Sequence, residues 1–152
     1  MTHQLERVTV IPRARAEVFE FFADARNLEK LTPPFLRFRI LTPGPIPMAA
    51  GTRIDYSIRL NGIPMRWKTL IEEYVENEHF IDLQLSGPYR LWRHLHRFRD
   101  TDQGTEMYDR VDYQLPFGPL GEIAHAVFVR RQLDTIFNYR AQVMAECFPR
   151  SG

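Results

Sequence analysis

The sequence predicts an α+β fold, with a curved antiparallel sheet of about seven strands wrapped around one long C-terminal helix and two short helices after the first strand. Three observations predict it. The hydrophobic period is two over most of residues 35–115, interrupted at turn-forming runs such as Asn61-Gly62, Gly87-Pro88 and Asp102-Gln103-Gly104. The period is three to four over residues 14–25 and again over 120–148. Residues 120–148 also contain no Pro and, after Gly121, no Gly. A helix of that length extends roughly 40 Å.

Residues 4–11 alternate, with Leu5, Arg7, Thr9 and Ile11 on one side and Glu6, Val8 and Val10 on the other, and Pro12 stops the strand. Over Ala14–Ala25, Val18, Phe21, Phe22 and Ala25 share one helical face. Asp24 and Asn27 provide a break and a new cap. A second short helix over Asn27–Leu31 then ends before Thr32-Pro33-Pro34, because a residue preceding proline avoids the helical region. Strands follow at 35–42, 52–60, 63–75, 79–86, 91–100 and 105–115, with a proline-extended loop at Pro43–Pro47. In the last helix the apolar positions run Leu120, Ile123, Ala124, Val127 and Phe128, then Leu133, Ile136, Phe137, Val143, Met144 and Cys147. That stripe slips in phase around Arg130-Arg131-Gln132, which calls for a kink or a change of packing partner. A bent sheet cannot follow a straight helix everywhere, so a cavity suited to a small apolar ligand is expected between them.

The 152 residues read as one domain, 1–152, with 44% hydrophobic and 26% charged residues, a composition that can bury a full core. A net charge of +1 gives no footprint for nucleic acid or an anionic membrane. No window approaches the ~20 apolar residues of a membrane-spanning helix, and MTHQLERVTVI lacks the apolar stretch of a signal peptide. A single Cys suits a reduced compartment, so a cytoplasmic protein is expected, a monomer or dimer without membrane insertion. Cys147 has no evident His partner and reads as a buried structural residue. Phosphate-loop, dinucleotide, nucleophile-elbow and H-E-x-x-H motifs are all missing from the sequence.

His94 and His96 leave the same face of strand 91–100 as Trp92 and Phe98, while Arg93, Arg97 and Arg99 occupy the opposite, solvated face. His-x-His can chelate a metal, but Asp82 or Asp109 would have to supply a third ligand. Structural imidazoles and ligand contacts are the other readings, and the expectation is no cofactor and no metal. Asp109 shares a face with Met107, Val111, Tyr113 and Leu115, so its carboxylate needs a partner. A strand carrying His94 and His96 can supply one, either as half of an acid–base apparatus or as a structural hydrogen bond. Tyr56 and Trp67 fall on inward-reading faces, where an aromatic with a polar tip suits an amphipathic ligand or an ordinary core. Arg131 could reach an anionic group or simply snorkel. On strand 79–86, pattern alone turns Ile81, Leu83 and Leu85 inward and Phe80, Asp82 and Gln84 outward.

Several stretches carry a family resemblance: Pro12-x5-Val18-Phe19-x-Phe21-Phe22-x2-Ala25-x-Asn27-Leu28, Phe80-x-Asp82-x-Gln84-x2-Gly87-Pro88, Trp92-x-His94-x-His96-x-Phe98, Asp109-x-Val111-x-Tyr113-x-Leu115-Pro116 and Ile136-Phe137-x-Tyr139-Arg140. With the order of elements, they resemble the helix-grip superfamily of START lipid-transfer domains, birch-pollen-allergen proteins and polyketide cyclases. Within it they are most similar to the bacterial stand-alone ligand-binding SRPBCC proteins. The resemblance implies Phe80, Asp82 and Gln84 facing inward and a pocket mouth near Phe117, Leu120 and Phe128. It implies binding of a small apolar or amphipathic molecule, with Trp92 in the wall and His94, His96, Asp109 and Tyr113 orienting a polar group. The alternatives are a cyclase, aromatase or dehydratase using His94, His96 and Asp109 on a polyketide-like substrate, and a protein-interaction module with a filled core.

Overall fold

The computed structural model describes residues 1–149. The chain runs through β1 (His3–Ile11), α1 (Arg15–Ala23), α2 (Asn27–Leu31), a 3-10 turn (Pro34–Leu36), β2 (Arg39–Ile40), β3 (Arg53–Leu60), β4 (Ile63–Val75) and β5 (His79–Ser86). It continues through β6 (Leu91–Thr101), β7 (Gly104–Gln114), α3 (Gly118–Ala124), a π-helical segment (His125–Val129) and α4 (Arg130–Cys147). The strands form one antiparallel sheet in the order β1-β7-β6-β5-β4-β3-β2. Strands β1 and β2 are therefore opposite edges, and α1 and α2 carry the chain from one to the other. Asn61 and Gly62, both at positive φ, close the β3–β4 hairpin. Register shifts at Lys68/Thr69 and Ile71/Glu73 bend β4 against β5, as bulges do, and help curve the sheet.

Three expectations change. Only Arg39–Ile40 of the strand expected at 35–42 is extended, because Pro34–Leu36 winds into a 3-10 turn that Arg37 ends in the left-handed region (φ 45°). The last helix begins at Gly118, and the stripe slips because the π segment at His125–Val129 winds more residues per turn just before Arg130. Cys147 is exposed, and Phe148 turns inward instead.

Two apolar clusters occupy the concave side. One joins Val18, Phe19 and Phe22 of α1 to Phe80, Phe98, Met107 and Met144. Its aromatic rings meet mostly edge to face, as in Phe19–Phe98 at 5.1 Å and 73°. The other joins Ile58, Trp67, Trp92, Val111 and Tyr113 to Leu133 and Phe137 of α4. Strand alternation explains both: on β6, Trp92, His94, His96 and Phe98 are buried, and on β7, Met107, Asp109, Val111 and Tyr113 are. The polar residues thus fall between the two clusters on each strand. No helix among the described residues is long and apolar enough to cross a membrane.

Candidate functional site

Cross-strand register assembles the polar belt. Asp82 on β5 lies opposite His94, and Asp109 on β7 lies opposite His96, so three adjacent strands place four ionisable groups on one face. Helix α4 closes the belt from the other side. Arg140 lies in the same buried stripe as Leu133, Phe137 and Met144, its guanidinium over the rings of Phe22 and Phe137 at 5.3 and 5.6 Å. The stacked imidazoles of His94 and His96 have centroids 3.7 Å apart, and Phe80 stacks on the far side of His96 at 4.2 Å.

The hydrogen bonds have a direction. His94 Nε2–H donates to Asp109 Oδ1 at 2.8 Å, and His96 Nε2–H donates to Asp82 Oδ2 at 2.6 Å. Arg140 Nη2 lies 3.3 Å from the same Asp109 oxygen. His96 Nδ1 is 3.4 Å from both Asp109 Oδ1 and Arg140 Nη2. His94 Nδ1 faces Asp82 Oδ2 at 3.8 Å.

Electrostatics follow from these contacts. Burial raises the Asp109 carboxyl, but Arg140 and the bonds from His94 and His96 outweigh it and hold it well below its ordinary value. Burial also raises Asp82, and the His96 bond with the charges of His94, His96 and Arg140 brings it below its ordinary value. His94 is lowered to about 4 by burial and by the neighbouring His96. For His96, burial is outweighed by bonds to Asp109 and Asp82, so its value rises. Both carboxylates are thus held toward their charged forms beside the Arg140 guanidinium, while His96 is shifted toward its protonated form and His94 toward its neutral one.

Beside the belt, between sheet and α4, lies a cavity of about 170 Å³. Tyr56, Trp67, Phe80, Asp82, Trp92, His94 and His96 all line it. Thr69 donates to Tyr56 Oη at 2.9 Å, leaving the phenol proton uncommitted, and burial with the Asp82 charge pushes that phenol above its ordinary value. The Trp67 indole N–H is buried and has no protein partner.

The remaining sequence candidates lie elsewhere. Asp109 stands behind the histidines, 2% exposed, and contacts both. Gln84 turns to the β5–β6 connection, donating to the Tyr89 carbonyl at 2.6 Å and accepting from the Tyr89 N–H at 3.1 Å. Tyr113 Oη meets His125 Nε2 at 2.7 Å, away from the cavity. Phe117, Leu120 and Phe128 are 81%, 73% and 68% exposed and do not line it. Phe80 and Asp82 face inward as the resemblance implies, yet Ile81 is also buried, Leu83 is half-buried, and of the aliphatic face only Leu85 is exposed.

Sequence reasoning missed Arg140. Arg131 is exposed, and Arg140 is the cation at the cavity wall. The signal was available, because Arg140 sits at helical spacing in the stripe of Leu133, Phe137 and Met144. Tyr89, also missed, lines the cavity from a turn where periodicity carries no information.

A family model for polyketide cyclase/dehydrase and lipid transport matches residues 11–137. The chain belongs to this family. Solved structures share the helix-grip fold across nearly the whole chain. Ginseng major latex-like protein 151 from Panax ginseng is 13% identical with a TM-score of 0.69, each chain 99% covered. The Zhui aromatase/cyclase from Streptomyces sp. R1128 is 14% identical with a TM-score of 0.69, covering 100% of this chain and 99% of that one. A nucleoside-diphosphate sugar epimerase from Corynebacterium glutamicum is 24% identical with a TM-score of 0.68, matching 93% of this chain over 28% of its own length. No curated protein matches by sequence.

Proposed function

We propose that the protein encloses a small, largely apolar molecule in the cavity and holds one polar group of it against Trp67, Asp82 and His94. The Trp67 indole N–H carries this reading: it is a buried donor without a protein acceptor, on the same wall as the ionised belt. Leaving such a donor unpaired costs about 1–3 kcal/mol, which a ligand acceptor recovers. Aromatic and aliphatic walls supply affinity and the polar groups set orientation. The volume sets the size class. A cavity of about 150 Å³ admits a benzene-sized molecule, so this one fits a single substituted ring or a short branched chain. The cytoplasm, the compartment that suits a single cysteine, is where we place this activity.

Native mass spectrometry of the protein as purified tests this. The expected result is a small-molecule adduct that is lost on denaturation and reduced in Trp67→Phe. A bare polypeptide mass, together with no saturable binding across a series of monocyclic phenols and aryl ketones, overturns it.

One observation favours a second reading. His94 lines the cavity and is oriented by Asp109 through Nε2, while Nδ1 makes no close contact, its carboxylate neighbour Asp82 lying 3.8 Å away, the arrangement of an acid–base imidazole. Under this reading the protein is a cyclase- or dehydratase-type enzyme, in line with the family's description. Asp109→Asn would then abolish turnover of a polyketide-like substrate and spare its binding; in a carrier the same change alters only affinity or stability. The filled-core interaction module finds no support in a chain with this cavity.

A further inference from the structure

The two imidazoles are used in opposite senses. His94 presents Nδ1 and His96 presents Nε2 toward one atom, Asp82 Oδ2, at 3.8 and 2.6 Å. Their other nitrogens, His94 Nε2 and His96 Nδ1, both point back at one atom, Asp109 Oδ1, at 2.8 and 3.4 Å. A single carboxylate behind thus orients both rings, and a second carboxylate completes a three-atom face. All three front residues line the cavity, whereas Asp109 is sealed behind them.

We propose that Asp82, His94 and His96 form a binding site for one divalent first-row transition ion, with its remaining coordination positions open to the cavity. Bonds of about 2.0–2.2 Å to three such atoms require them to lie about 2.8–3.6 Å apart, from octahedral to tetrahedral angles. Asp82, the least buried of the three, supplies part of this by shifting away from His96 and toward His94, and the two rings, stacked 3.7 Å apart, supply the rest by turning so that His94 Nδ1 and His96 Nε2 converge. One ligand atom from each of the three residues lies within 4.8 Å of the others, so they are grouped closely enough for such an adjustment to bring them onto one ion. The carboxylate–histidine–metal relay is the usual outer-shell arrangement of such sites, and here Asp109 serves two histidines at once. Arg140, 3.3 Å from Asp109, holds that carboxylate charged and in place. An entering ion displaces the proton shared by His96 and Asp82, which leaves to solvent.

The charge count sets the charge of the ligand that completes the site. Asp82 and Asp109 contribute two negative charges, Arg140 one positive and the ion two, leaving one positive charge. A single anionic oxygen, a carboxylate or an enolate on a small organic molecule, neutralises it. The ion acts there as a Lewis acid toward that oxygen.

The test uses the full chain, stripped with a chelator, with zinc added in a calorimeter and cobalt in a spectrophotometer. No organic ligand is present, so the outcome is independent of whether the cavity captures one. The expected result is one equivalent with a Kd of about 1 µM or tighter and cobalt ligand-field bands. Binding disappears in Asp82→Asn and His94→Ala, weakens about 10–100-fold in Asp109→Asn, and is unchanged in His3→Ala. The last control matters because His3, Glu122 and His125 form a second group with ligand spacing at the sheet edge. No saturable binding overturns the proposal. So does binding that survives Asp82→Asn and His94→Ala, or that is lost in His3→Ala. If a variant fails to fold, histidine ring NMR of the wild type decides. Zinc must shift His94 and His96 and leave His3 and His125 in place; the reverse overturns the site.

Discussion

The two ends of the concave face obey one sequence rule and reach opposite results. At one end α1 drives Phe19 and Phe22 against Phe80, Phe98 and Met107, and the rings close the space behind Phe22 and Phe80, which border the cavity. At the other, Ile58, Trp67 and Trp92 face Leu133 and Phe137 across a cavity. Both ends are alternating strands beneath α4, and the difference is the wedge. Helix α1 plugs one end, whereas bulged β4 and its hairpin partner β3 line the other around an open space. The lesson is that alternation determines which residues face inward, while connections and bulges determine whether the inward space is filled.

Breaking the boundary between the two ends has the largest expected effect. Arg140→Met leaves Asp109 buried without its cation, and removing one partner of a buried pair costs about 3–5 kcal/mol. Arg131→Met, on the exposed face of the same helix, stays within about 0.5 kcal/mol. Urea unfolding of the two variants measures the contrast.

Over-packing sharpens the comparison next. Val18→Phe adds volume to the filled end and costs about 1–3 kcal/mol. Ile58→Phe adds similar bulk at the cavity wall, where there is room, and costs less than about 1 kcal/mol. It also abolishes uptake of small aromatic molecules, readable in the same unfolding and binding series.

Acid sensitivity belongs to the belt. His94, held near a pKa of about 4 against an ordinary 6.5, resists protonation in the folded state. The unfolded chain therefore binds more protons between those values, and stability falls as pH drops from about 6.5 to about 4, by at most about 1.4 kcal/mol per pH unit. His96 is raised and acts in the other direction: its stabilisation is complete below its ordinary value and is lost only as pH rises above it. Asp82 and Asp109, both lowered, act below about 4, where protonation removes their contribution. In chelator-treated protein, His94→Gln should flatten the slope between pH 6.5 and 4 while leaving the more acidic limb. An unchanged slope would show that His94 is not the group that titrates there.

Much of this was legible in the sequence. Period-two runs ending at Asn61-Gly62 and Gly87-Pro88 gave five strands to within a residue, and Asp109 among apolar neighbours called for the histidine contact that is present. What escaped was set by three-dimensional register. Asp82 meets His94 because β5 and β6 pair as they do, and a period-two pattern cannot report that offset. Phe117, Leu120 and Phe128 were placed at a pocket mouth by resemblance, and the left-handed turn at Phe117 with the π segment at His125–Val129 leaves them on the outside. Arg140 hid in plain view, a charged residue in an apolar stripe.

The central claim is that the cavity holds a small molecule whose polar group meets the Trp67 indole. With only two tryptophans in the chain, proton–nitrogen NMR gives two indole signals, and Trp92→Phe assigns them. Titration with a monocyclic aryl ketone should move the Trp67 N–H strongly downfield and saturate, while Trp92 shifts little. If neither indole responds to any member of a ketone and phenol series, the cavity is not a ligand site and the account is wrong.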